Sequence, residues 1–292
     1  MKRWLSALMA LVLTLLPVWA CAQQMSEDEW AMVTAALASD ENDPVPEKWR
    51  ISVRDVRPAP NLDEKIVNIL LLGTDSADMR ENRGRADALL LFSVNVQTGD
   101  AKLVSLPETA RTALPELPEA MRLKYLNCFG GPMLVMRQIN QALGLNITRY
   151  CAVNFAGFEA AIDEMGGVWL PLTDRERVAV DIEDGVERLD GRQALRYVKL
   201  RWGEAVTDRP RKLLEALLRQ VTVQGIDGAF SLMGALLPAT DTNLTIANLT
   251  DLLFALLGQE TPPSFETLAL PSQQGMIPQD AAAWCRAVLY GR

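Results

Sequence analysis

Residues 66–72 (IVNILLL) constrain the fold of this chain more than any other stretch. The run is apolar except for Asn68, rich in branched residues and closed by Gly73. It reads as a strand buried on both faces, which needs helices packed on both sides of a sheet. Gly73 lets the chain turn, so Asp75 falls just past the carboxyl end of that strand, the edge where open α/β sheets hold ligands. A charged loop follows (Asp78, Arg80, Glu81, Arg83, Arg85, Asp87), and residues 88–96 resume as a second apolar strand. Asp75 and Asp87 therefore flank one loop between two core strands, with Arg85 beside the second. Carboxylate oxygens suit Mg²⁺ and a guanidinium fork suits phosphate oxygens, which makes this trio a candidate site. The plainer alternative is a solvated loop with incidental ion pairs.

Composition removes several function classes. At 292 residues and 49% apolar content the chain can bury a sizeable core as one large domain or two modest ones. The net charge of −8 argues against a nucleic-acid binder, whose surface is ordinarily basic. There is no histidine, so Ser-His-Asp and Cys-His catalysis and imidazole metal sites are excluded. Chemistry falls to carboxylates, arginine, lysine, hydroxyls or a metal.

Residues 1–22 have a basic start (Lys2, Arg3), an apolar run and a small-residue end at Ala20-Cys21-Ala22, the pattern of a signal peptide. Cleavage after Ala22 fits. Residues 18–21 also form a loose lipobox that would make Cys21 a lipoprotein anchor, although Trp19 is bulky for it. An uncleaved anchor ranks third, because the apolar run is shorter than the ~20 residues of a spanning helix. All three place the domain outside the cytoplasm, secreted or at the cell envelope. Residues 23–64, polar and carrying Pro44, Pro46, Pro58 and Pro60, read as a short helix and a linker, and 65–292 as the domain. Cys128, Cys151 and Cys285 have no metal-type spacing, and their pairing stays open.

Further strands are expected at 102–106 after a turn at 97–100, and at 149–155, 168–172 and 266–270. Helices are expected from Gly130-Gly131-Pro132 to Gly144, at 158–165 and 192–201, from Arg209 to about Val223, twice within 229–259, and at 280–290. This alternation argues α/β. The helix at 192–201 stacks Arg192, Arg196 and Lys199 on one face and ends at Arg201. Asp208 precedes Arg209, Arg211 and Lys212 at the start of the next helix, so a second Arg/Asp cluster lies at helix ends. It can meet phosphate oxygens there, or stand as a basic solvated face.

In order, NILLLGTDS, GRAD before an apolar strand, SLP, CFGGP, NFAGF, EMGGV, LDGRQALRYVKLR and DRPRK resemble the LytR–CpsA–Psr family over residues 66–221, with C-terminal helices at 222–292. GTDS alone is weak; the ordered set is specific. The resemblance implies a single α/β/α sandwich with a central mixed sheet and a hydrophobic tunnel for lipid. It implies an extracytoplasmic phosphotransferase that uses Mg²⁺ to move a glycan phosphate from a polyprenyl-pyrophosphate-linked glycopolymer onto peptidoglycan. Such an enzyme meets the membrane surface through its lipid substrate. Carried over by position, Asp75 and Asp87 match the metal aspartates. Arg85, Arg122, Lys199, Arg201, Asp208 and Arg209 match groups around the pyrophosphate. Asp87, Arg85 and Arg201 would carry the catalysis.

The chain also departs from the pattern. Glu108 stands where an arginine is usual after SxP, Lys199 replaces the first arginine of YVRxR, and Lys212-Leu213 replaces Arg-Gln. Lysine keeps the charge but loses the bidentate fork. These changes keep two rivals in view: a non-catalytic binder of polyprenyl phosphates or wall glycans, and a simple polyprenyl pyrophosphatase.

Overall fold

In the computed structural model the apolar run becomes β1 (Ile66–Thr74) and pairs in register with β2 (Ala86–Asn95) as an antiparallel hairpin. The described residues are 51–76, 84–113, 120–183, 187–200, 202, 208–236, 239–258, 265–273 and 275–291. The signal-peptide expectation and most of the lead-in lie outside them. Strands β3 (Ala101–Ser105), β6 (Arg149–Asn154), β9 (Thr240–Thr242) and β10 (Phe265–Ala269) complete a six-stranded sheet ordered β10-β3-β2-β1-β6-β9. Strand β6 runs parallel to β1, and β10 parallel to β3; the other pairs are antiparallel. The central sheet is mixed, as expected.

Alternation along β1 and β2 explains both layers. Leu70, Leu72, Leu89 and Leu91 face a core shared with α1 (Leu123–Leu143) and α7 (Ala281–Tyr290). Ile69, Leu90, Phe92 and Val94 face the opposite core, with α5 (Arg209–Leu236) and α6 (Ile246–Leu257). Each fully buried leucine contributes about 1.5–3 kcal/mol of burial. Asn68, the polar exception in β1, is 3% exposed and donates to Asn146 Oδ1 (2.7 Å) and the Tyr290 hydroxyl (2.6 Å), tying the strand to the end of α7. A further apolar cluster joins α2 (Phe155–Glu164), α3 (Asp174–Val180), α4 (Gly191–Lys199) and α5, beside the short hairpin of β7 (Val168–Trp169) and β8 (Arg188–Leu189). Strands β4 (Arg111–Thr112) and β5 (Met121–Arg122) form another small hairpin.

Several boundaries differ from expectation. The first long helix begins at Leu123 and not at Gly130; Gly131 sits inside it at φ 63°, ψ −168°, so Pro132 opens only its second segment. Gly131 is required there because an L side chain is strained at positive φ. The lead-in expected to run to 64 is docked from Ile51 onward: Val56 is fully buried, its carbonyl accepts from Asn140 Nδ2 at 2.8 Å, and Ala59 N–H donates to the Leu145 carbonyl. Helix α3 and strand β9 are not legible in the sequence because each is too short to show a period. Cys151 and Cys285 are free thiols, and Cys285 is buried as an apolar packing group.

Candidate functional site

The β1–β2 hairpin brings Asp75, Arg85 and Asp87 together. Asp75 follows the last residue of β1, and Asp87 is the second residue of β2. Backbone bonds close the loop between them: Asp75 N–H donates to the Arg85 carbonyl (3.1 Å), and Arg85 N–H donates to Asp75 Oδ1 (2.5 Å). Gly84 has no room for a side chain, since a Cβ would lie 2.2 Å from the Ser76 backbone nitrogen. The glycine of GRAD is thus a close-approach residue.

Arg85 clasps both carboxylates. Its Nε and Nη2 donate to the two oxygens of Asp87 at 2.6 Å each, and Nη2 lies 3.2 Å from Asp75 Oδ2. Its Nη1 is buried and makes no hydrogen bond. Burial raises the Asp75 carboxyl above its ordinary value; Arg85 opposes this and Asp87 adds to it. A buried guanidinium with a spare donor fits an anionic oxygen. The metal also fits by donor chemistry. Mg²⁺ is commonly held by one or two carboxylates with waters and substrate phosphates, and this site offers two carboxylates. Among the described residues there is no cluster of three or more acidic or thiol groups that would form a dedicated cage.

The start of α1 packs over this hairpin. Asn127 Nδ2 donates to the Gly84 carbonyl at 2.7 Å, and Tyr125, fully buried, lies within electrostatic reach of Arg85. Arg122 precedes the helix with its guanidinium 5.8 Å from the Tyr125 ring centre. Lys199 ends α4 and lies 3.7 Å from the ring centre of Phe155. Because β6 is parallel to β1 and pairs Asn154 with Thr74, Phe155 and Asp75 emerge side by side from the same sheet edge. Lys199 is therefore brought to the edge that carries Asp75. Arg201 lies outside the described residues.

Arg209 and Asp208 both have partners within the protein. Arg209 is 1% exposed, and its fork is spent internally: Nε meets Glu176 Oε1 (3.2 Å), Nη1 the Leu200 carbonyl (2.9 Å) and Nη2 the Trp202 carbonyl (3.0 Å). Its guanidinium also stacks 4.7 Å from the Trp202 ring centre. In this structure its donors are held by protein acceptors, tying the Leu200 and Trp202 carbonyls to Glu176. Burial raises the Glu176 carboxyl, but the Thr173 amide and hydroxyl and Arg209 outweigh it and hold Glu176 below the usual carboxylate range. Asp208 is paired with Arg211 at 3.1 Å.

An apolar slot of about 170 Å³ lies at the ends of the same two strands, β1 and β2. Gly73 and Ala88, neighbours of the charged trio in the chain, line one end, and Phe155, Leu214, Leu217 and Leu232 line its walls. A charged cluster and an apolar slot at the ends of the same two strands suit an amphiphile with an anionic head. Lys124, within electrostatic reach of Asp87, carries no sequence signal because its partners are distant in the chain, whereas Phe155, at the slot, belongs to the NFAGF motif.

The LytR_cpsA_psr family model matches residues 31–285. The chain belongs to the LytR–CpsA–Psr family. A polyisoprenyl-teichoic acid–peptidoglycan teichoic acid transferase TagU of Oceanobacillus iheyensis is 28% identical over 203 residues, 65% of this chain and 63% of that protein. The TagU of Enterococcus faecalis is 30% identical over 162 residues, 53% of each chain. The chain thus spans less than two thirds of these relatives' length. The LytR-CPS2A-psr family protein YwtF (TagT) with bound octaprenyl pyrophosphate lipid shares the fold, with a TM-score of 0.60 at 21% identity over 80% of this chain and 95% of that one.

Proposed function

We propose that this family member works outside the cytoplasm as a Mg²⁺-dependent phosphotransferase. It moves a polyprenyl-pyrophosphate-linked glycopolymer onto peptidoglycan. The observation that carries this reading is the Asp75–Arg85–Asp87 cluster at the ends of β1 and β2, where the chain neighbours Gly73 and Ala88 line an apolar slot: anionic-head and prenyl-tail chemistry at one end of one hairpin. The transferase names of the relatives and the lipid bound by TagT support it. Export rests on the leader at residues 1–22.

In the reaction, an acceptor hydroxyl oxygen bonds to the glycan-side phosphorus. The P–O bond to the lipid-side phosphate breaks, and the prenyl monophosphate leaves. Arg85 and Arg122 hold the phosphate oxygens, and Lys199 lends charge at the sheet edge. Mg²⁺ held by Asp75 and Asp87 would neutralise charge on the pyrophosphate, the main demand of phosphoryl transfer. Asp87 is the candidate acceptor of the hydroxyl proton, and Arg85, which engages both of its oxygens, would have to release one. Arg201 stays a catalytic candidate by position in the sequence.

The test gives the chain a short polyprenyl pyrophosphate and Mg²⁺ and follows phosphate release, with Asp75→Ala and Asp87→Ala as controls. Release that needs both aspartates and the metal supports the reading. Lipid binding without any turnover would instead favour the non-catalytic binder, the reading suggested by buried Glu108 in the arginine position.

A further inference from the structure

Position 108 poses a charge problem. Glu108 is only 8% exposed and follows Pro107 after β3, where the family pattern has an arginine. Its carbonyl accepts the backbone N–H of Lys124 at 3.0 Å, so the two residues occupy one spot between the sheet and the start of α1. Lys124 is the second residue of α1. Helical spacing puts it on the same face as Asn127, which is bonded to the Gly84 carbonyl, so its side chain projects over the hairpin that carries Arg85 and Asp87.

The charged groups that act on its ammonium are Arg85, Asp87, Arg122 and Glu108. Burial, together with Arg85 and Arg122, lowers its pKa against the pull of the two carboxylates. The ammonium lies 5.0 Å from the Tyr125 ring centre. Among the described residues it makes no hydrogen bond or ion pair. A half-buried ammonium with no protein acceptor keeps its donors available to a ligand. Arg85, which acts on it electrostatically, keeps its Nη1 buried without an acceptor. A buried unbonded guanidinium nitrogen and a half-buried ammonium without a protein acceptor, on adjoining elements, describe a place for anionic oxygens.

We propose that Lys124 is a phosphate-contacting residue of this site, the cation this chain sets against a lipid pyrophosphate in place of an arginine at position 108. The positive charge has moved from the loop after β3 to the first turn of α1. The inference rests on the pyrophosphate reading given above and adds a contact to it.

The experiment titrates the chain calorimetrically with geranylgeranyl pyrophosphate and with geranylgeranyl monophosphate. Parent, Lys124→Ala, Lys124→Met, Lys124→Arg and Arg85→Ala are compared, with thermal melts for each. Losing one charge-assisted contact should weaken pyrophosphate binding about tenfold or more in Lys124→Ala and Lys124→Met. The monophosphate should lose less, and Lys124→Arg should restore most of the affinity. A merely structural role would weaken both ligands alike and lower the melting temperature of Lys124→Ala without rescue by arginine, and that result overturns the proposal. Parent-like binding by Lys124→Ala while Arg85→Ala fails also overturns it, leaving the pyrophosphate reading standing. Parent-like binding by both variants removes the reading and the inference together.

Discussion

Replacing Arg209 tests whether a family-matched arginine serves the ligand or the fold. The side chain is 1% exposed and satisfies one carboxylate and two carbonyls, at 3.2, 2.9 and 3.0 Å. Arg209→Ala removes these bonds and the stacking on Trp202, and leaves Glu176 buried with no guanidinium. Breaking a buried pair on one side costs about 3–5 kcal/mol. Arg209→Lys keeps a positive charge but cannot span three acceptors, and hydrogen bonds to charged groups are each worth about 1.5–3 kcal/mol, so a loss of roughly 2–4 kcal/mol is expected. The assay is urea unfolding followed by far-UV circular dichroism, run with Glu176→Gln and the double variant as a cycle. The Arg209–Glu176 coupling should fall at about 1–3 kcal/mol. If Arg209→Ala unfolds within about 0.5 kcal/mol of the parent while losing ligand binding, the positioning role is refuted and the phosphate-gripping expectation returns.

Glu176 adds a pH signature. Its folded pKa lies below the ordinary glutamate value of 4.5, so its stabilisation is fully present above that value and is lost as pH falls through the depressed folded value. The stability difference between parent and Glu176→Gln should therefore be constant near neutrality and shrink in acid; a difference independent of pH down to acid unfolding would contradict this. Filling the slot should separate tail from head recognition. Leu214→Trp, a half-buried wall position, should weaken a long prenyl pyrophosphate about tenfold or more while inorganic pyrophosphate binds as before. Equal affinity for the long lipid would place the tail elsewhere.

Much of the site is legible in the amino-acid sequence. Residues 66–72 and 88–96 declare two core strands by composition alone, and the loop between them has to return Asp87 and Arg85 toward Asp75. That part depends on short sequence distances, over which periodicity and turn residues dictate geometry. The helical cover follows from the same patterns, and the mixed sheet only from what the resemblance of the ordered motifs implies.

What the sequence determined by itself was the inventory: buried strands, an arginine between two aspartates, no histidine and a charge reversal at 108. Tertiary structure decided which charges are spent on protein acceptors. Arg209 has the same charge and a matching motif, yet it is consumed by Glu176 and two carbonyls, whereas Lys124, outside any motif, keeps its ammonium without a protein acceptor within electrostatic reach of Asp87. The difference arises because a cation's role depends on whether its burial is compensated by protein acceptors or left for a ligand. Those acceptors come from elements tens of residues away, so no local spacing encodes them.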